Sequence, residues 1–285
     1  MAITTFIPKL WNARLLANLD KAFVYAKLMN RDYEGEIKEM GDTVHINSLN
    51  NIAIKKYTAN TDIDPAEQLT TVDQTLKIDQ GDYYNFYVND VDRVQSAGNL
   101  MDKAMQRAGY GLAEKADTYL GNLFATEGKI TKDLGSTGTP LVITKDNAYE
   151  TLVKIKVALD KANVPKENRW VVMPPDFEGF MLLDPRFAGA DGANAENRLM
   201  NGAVAKAAGL NIFISNNVPN TGNAKYKVVA SYGDAGTYAE QIIKTEAYRR
   251  ELGFDDGVKG LHVYGGKIVR PEAVAVATCN FTPGP

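Results

Sequence analysis

A chain of 285 residues can bury a substantial core and suits one large domain or two modest ones. Hydrophobic residues make up 45% and charged residues 24%, which excludes wholesale disorder; a net charge of −3 excludes a global basic field for nucleic acid. No apolar run approaches the roughly 20 residues that span a bilayer, Lys9 and Arg14 interrupt any signal-peptide layout, and the single cysteine, Cys279, leaves no internal disulfide, as fits a reducing cytoplasm.

The first 31 residues carry Lys9, Arg14, Lys21, Lys27 and Arg31 against the lone acid Asp20, a basic arm of net +4 (five minus one). Leu15, Leu19, Ala22, Ala26 and Met29 keep spacings of three or four, the mark of an amphipathic helix. Such a helix either docks on its own domain or reaches a neighbouring subunit or a polyanion. From Thr43 to Val88 the pattern is β, with Val44 and Ile46 alternating in one run and Val72, Gln74, Leu76 and Ile78 in another. The polar stretch from Thr58 to Pro65 between them predicts a long hairpin with an acidic tip of Asp62, Asp64 and Glu67. A hairpin this polar is marginal alone, so the expectation is that it projects and finds its support on another subunit.

Asn89 to Asp92 offers N-cap residues. After it Val94, Met101, Met105, Ala108, Leu112, Tyr119 and Leu123 form one stripe, predicting a helix from about Asp92 to Ala125 and roughly 50 Å long. Gly109 and Gly111 are the expected bend. Breakers from Gly128 to Pro140 place a domain boundary there. A helix follows from Asp146 to Ala162, capped by Thr144 or Asp146 and ended by Pro165. Then come a buried strand at Trp170–Met173, helical turns around Phe177–Met181, and a Gly/Ala/Asn-rich loop from Arg186 to Asn201. A short helix is expected over Ala203–Ala208 with Gly209 behind it, and strands at Asn211–Ser215, Lys225–Ser231, Gln241–Tyr248, His262–Tyr264 and Ile268–Ala277.

No catalytic pattern is complete in this chain. The Gly260–Lys267 stretch has Leu261 and Ile268 where a phosphate-binding loop needs Gly and Ser/Thr, so it reads as strand-turn-strand. No nucleophile elbow is present. His45 and His262 have no carboxylate at ligand spacing along the chain, Cys279 reads as an inert buried thiol, and Asp62, Asp64 and Glu67 read as a solvated tip rather than a cation site. No catalytic, cofactor-binding or metal-ligating residue is assigned. The inventory supports a structural or binding protein.

Several segments resemble a known family. Phe6-Ile7-Pro8-Lys9-Leu10-Trp11-Asn12-Ala13-Arg14 is similar to the arm of coat proteins related to that of the phage P22 group. Asn30 to Gly35 with Gly41-Asp42-Thr43-Val44, Phe86 to Asp92 with Met101 to Met105, Asn201 to Ala205 with Ser215 to Pro219, and Tyr264 to Glu272 resemble successive parts of the same proteins, in register along nearly the whole chain. The resemblance implies an α+β Hong Kong 97-like phage capsid fold. Its implied divisions are an N-terminal arm (1–42), an extended E-loop hairpin with flanking strands (43–88), a P-domain with the spine helix (89–135), a central α/β A-domain (136–235) and C-terminal strands completing the core (236–285). It further implies a virion shell of hexamers and pentamers around double-stranded DNA, with a separate scaffolding protein and a portal protein, assembled in the bacterial host cytoplasm without membrane or cofactor. Candidate inter-subunit contacts are Lys9, Trp11, Arg14, Tyr57, Asp62, Asp64 and Glu67. The rival readings are an encapsulin-like nanocompartment shell and an enzyme working through carboxylates.

Overall fold

The computed structural model describes residues 23–32, 41–49, 54, 56–57, 62, 65, 71–89, 100–184, 206–222, 225–249 and 255–281. The elements in chain order begin with β1 (Thr43–Leu49) and β2 (Thr71–Lys77), an antiparallel pair as the alternation predicted. Val44 stands opposite Leu76, and with Ile46 and Ile78 they make a buried apolar face. The next strand, β3 (Gln80–Asn89), leaves the hairpin and joins another sheet. Asn89 is therefore strand, and the expected cap at 90–92 lies outside the described residues.

Helix α1 (Leu100–Glu127) runs 28 residues, about 42 Å, without a break at Gly109 or Gly111. Its buried face holds Met105, Leu112, Ala113, Ala116, Leu120 and Phe124, while Tyr119 and Leu123 sit half-buried at its margin. The expected stripe was right for Met105 and Leu112 and rotated beyond them. The chain around Phe23–Ala26 packs on the second half of the helix, so the covered face widens toward Asp117.

A mixed six-stranded sheet forms the central module. Its members are β4 (Leu141–Ile143), β5 (Arg169–Met173), β6 (Lys206–Ala207), β7 (Leu210–Ile214), β8 (Lys225–Tyr232) and β11 (Ala275–Phe281), in the order β4-β11-β8-β5-β7-β6. Helices α2 (Ala148–Lys161) and α3 (Pro175–Leu183) complete it. The register puts Trp170, Val229 and Val276 on one face and Val171, Ala230 and Ala277 on the other. Phe124 of α1 meets Trp170 edge-on at 5.3 Å on the first face, and Phe177 of α3 meets Phe281 on the second. Helix α2 buries Ala148, Leu152, Ile155 and Leu159 and begins after Asn147, not after Thr144 or Asp146. It ends where Asn163 turns left-handed (φ 54°) and the N–H of Val164 reaches back to the Leu159 carbonyl, two residues before Pro165.

Two expectations fail for local reasons. Lys206–Ala207 is strand, not helix, and turns through Ala208 (φ 50°) and Gly209 (φ 78°) directly into β7; two successive positive φ values make a hairpin turn, while the alanine spacing imitated a helix. The second concerns β9 (Gly236–Arg249) and β10 (Asp255–Ile268), two 14-residue strands that form the antiparallel sheet β3-β10-β9. Gly265 and Gly266 lie inside β10 and make no turn.

Candidate assembly site

Those two glycines mark a crossing. Successive strand residues face opposite sides, and a Cβ on Gly265 would stand 2.3 Å from the Lys77 carbonyl oxygen, whereas one on Gly266 would stand 2.7 Å from a Leu120 methyl. The hairpin thus presses on one side of β10 and α1 on the other, each closer than any side chain permits. The foot of the hairpin closes a small apolar cluster there, Val44, Ile46, Leu76 and Ile78 against Ala239 and Val263. The hairpin was expected to lean on another subunit; its foot leans on its own.

Opposite Ala239, the neighbouring residues of β9 hold the root of the N-terminal arm. Asn30 donates its N–H to Gly236 and accepts one from Tyr238. Glu240 is a buried hub that accepts from Arg31, from the Tyr238 hydroxyl at 2.7 Å and from His262 Nε2 at 2.9 Å. Burial alone would raise its carboxyl, but the His262 and Tyr238 hydrogen bonds and the Arg31 charge hold it below the usual range. The Arg31 guanidinium also lies over the Tyr238 ring. Higher on the root, Asp117 of α1 accepts the main-chain N–H groups of Val24 and Tyr25 at 2.9 Å and of Ala26 at 3.4 Å. Arm, hairpin and long helix therefore meet on one pair of strands.

None of these positions was singled out as a site from the sequence. Glu240 and His262 are 22 residues apart and Asp117 and Tyr25 are 92 apart, so spacing along one segment could not join them. One signal was available: Asp117 interrupts the helical series Ala113, Ala116, Leu120 with a charge. The histidines were expected to lack carboxylate partners; strand pairing supplies both, with His45 Nδ1 2.7 Å from Asp73 at an exposed site.

Among the contact candidates, Tyr57 and Asp62 are exposed, and Ile54 beside Tyr57 is almost fully so. Lys9, Trp11, Arg14, Asp64 and Glu67 lie outside the described residues, as does the arm before Phe23. Among the described residues no group of three His, Cys, Asp or Glu side chains suits a metal ion. Cys279 is buried and its thiol is pushed up to about 12 by desolvation, a poor nucleophile at neutral pH. A cavity of about 610 Å³ lies between α2 and the 130–134 segment, and its Glu150 is engaged by Lys154.

A family model described as "Phage capsid protein" matches residues 70–277. No curated protein matches the chain in sequence. Among solved structures, one from Mycobacterium phage Che8 is 32% identical over 91% of both chains, with a TM-score of 0.72. The capsid structure of cyanophage P-SCSP1u is 17% identical, covers 92% of this chain and 89% of that one, and superposes at 0.68. A virus-like particle from Pyrococcus furiosus shares the fold at 14% identity, 94% and 97% coverage and 0.57. The phage resemblance is thus the stronger in sequence as well as in shape, and the nanocompartment reading is not favoured.

Proposed function

This chain belongs to the phage capsid protein family as a shell-forming major capsid protein, and we propose that its projecting parts divide the work of joining copies into the head. Copies associate as hexamers and pentamers through the hairpin tip, with Tyr57, Asp62, Asp64 and Glu67, and through the arm, with Lys9, Trp11 and Arg14. The divisions 1–42, 43–88, 89–135, 136–235 and 236–285 serve as arm, E-loop, P-domain, A-domain and closing strands. No catalytic step is assigned to the chain.

The observation that carries this reading is the division within the hairpin. Its foot is buried in its own subunit, yet beyond the foot Ile54 is 98% and Tyr57 71% exposed. Large apolar and aromatic side chains exposed together in this stretch suit a partner surface. The arm, at net +4, suits a polyanion or an acidic scaffolding protein. The same basic arm supports packaged double-stranded DNA as the neighbour of the inner face. A portal at one vertex and assembly in the host cytoplasm complete the proposal.

Deleting Thr58–Glu67 tests it. The expected result is a folded subunit with an unchanged thermal midpoint that no longer forms shells in electron micrographs. An unfolded subunit whose residual folded fraction still builds normal shells would make the tip an intramolecular support and overturn the reading.

A further inference from the structure

The arm root is fastened at both ends, and the two fastenings are chemically different. At the lower end Glu240 has its charge matched by Arg31 and by the His262 and Tyr238 hydrogen bonds. At the upper end Asp117, fully buried, is met mainly by main-chain N–H groups. The titratable groups facing it are Tyr25, whose hydroxyl is buried without a hydrogen-bond partner, and Lys27. One helical turn on, a Cβ at Gly121 would come within 3.1 Å of the Tyr25 ring and 3.3 Å of Pro219. Acid and notch together accept one conformation of residues 24–26: three successive donors on the carboxylate, and the Tyr25 ring in the gap over Phe124.

We propose that Asp117 is a releasable anchor: its carboxylate fixes where the basic arm leaves the subunit, and it regains hydration when the arm is drawn away. Directional hydrogen bonds make the docked position unique, while the desolvation of an ionised group offsets much of what those bonds contribute. The anchor is specific without being tight, which suits an arm that must change neighbours as subunits join. That last role rests on the proposed assembly function of the arm; the anchor itself does not.

The sign of its pH dependence follows from its environment. Burial raises the Asp117 carboxyl from 3.8 to about 6, outweighing the three N–H bonds and Lys27. A group raised in the docked state favours docking fully below its free value and loses that contribution as pH climbs through the docked value. Docking is therefore firmest in acid and loosest at neutral pH, with a ceiling of roughly 100-fold from the two-unit shift.

Amide hydrogen exchange of residues 24–26 in full-length unassembled subunits, corrected for intrinsic rates, reads this directly. Wild type is expected to lose about tenfold or more of its protection between pH 5 and pH 7.5. Asp117→Asn, which keeps an acceptor without a charge, is expected to give a flat profile, and Tyr25→Phe to keep the wild-type profile. Protection in wild type that is constant or rises over this interval would overturn the anchor, as would an Asp117→Asn profile that still follows pH. Should Asp117→Asn fail to fold, the wild-type and Tyr25→Phe profiles decide alone. Electron microscopy of the same preparations separates the two ideas: Asp117→Asn shells indistinguishable from wild type, beside the expected exchange profiles, would uphold the anchor and remove its part in assembly.

Discussion

The two sheets of this subunit use their surfaces in opposite ways. In the six-stranded module β5, β8 and β11 are buried on both faces by Trp170–Met173, Val228–Ala230 and Ala275–Ala277, with α1 on one side and α2 and α3 on the other. The three-stranded sheet instead buries a Glu–His–Arg hub, admits a hairpin and a helix through bare glycines, and leaves Tyr83 and Tyr87 of β3 standing in solvent. Apolar faces closed on themselves make a stable body. Buried polar groups and close crossings fasten the hairpin foot and the arm root, and exposed aromatics leave surface open to a partner. If the proposed assembly role of the hairpin and arm holds, stability and assembly lodge in different strands, and variants should separate them.

The largest effect on stability belongs to the module. Leu152 is fully buried where α2 lies on the sheet, so Leu152→Ala is expected to cost about 2–5 kcal/mol in denaturant unfolding. Shells made from the folded fraction should nevertheless keep normal diameter. Loss of less than 1 kcal/mol, or misshapen shells at full folding, would break the division between the sheets.

Gly265→Ala strikes the crossing, and its cost is expected to be about 1–3 kcal/mol because the obstacle is the Lys77 backbone and not a flexible side chain. Unlike the module variant it should also disturb assembly, since the hairpin foot must shift on β10. Gly111→Ala meets nothing within 4 Å and serves as the matched control on α1, where a neutral or slightly stabilising change is expected. Equal behaviour of the two glycines would remove the argument from close approach.

This difference also explains what was legible in the sequence. Where burial follows a local period the elements were readable: β1 and β2 from alternation, α2 from Leu152, Ile155 and Leu159, β5 from its continuous apolar run. Where a residue is set by something distant, the local signal misled. Gly265-Gly266 looks like a turn because a turn is the usual local need for paired glycines; here the need is room for the hairpin and for Leu120. Ala208-Gly209 was read as a helix end because only the backbone angles reveal the hairpin. The hub at Glu240 and the anchor at Asp117 could not be assembled from spacing at all, because β pairing and helix packing bring their partners from other parts of the chain. The family resemblance supplied the fold and the shell, but it named contact residues at the tips and overlooked the roots that hold those tips in place.

The smallest effect on stability should accompany one of the clearest effects on assembly. Tyr83 is 76% and Tyr87 56% exposed on the outer face of β3, an edge strand paired on one side with β10. Strand propensity and local contacts of exposed strand residues amount to about 1 kcal/mol, so replacing both tyrosines by serine should lower the thermal midpoint only slightly. An aromatic pair on an open sheet face, close in sequence to the hairpin, is nonetheless the kind of surface that contributes most when desolvated between copies. Shell yield at a fixed subunit concentration is therefore expected to fall by tenfold or more, about 1.4 kcal/mol per contact in effective association. The Tyr83→Phe and Tyr87→Phe pair should restore most of it, because the ring and not the hydroxyl supplies the buried area. Wild-type yield in the serine variant would show that this face stays wet in the shell, and the contrast between the two sheets would then rest on the hub, the glycine crossing and the hairpin alone.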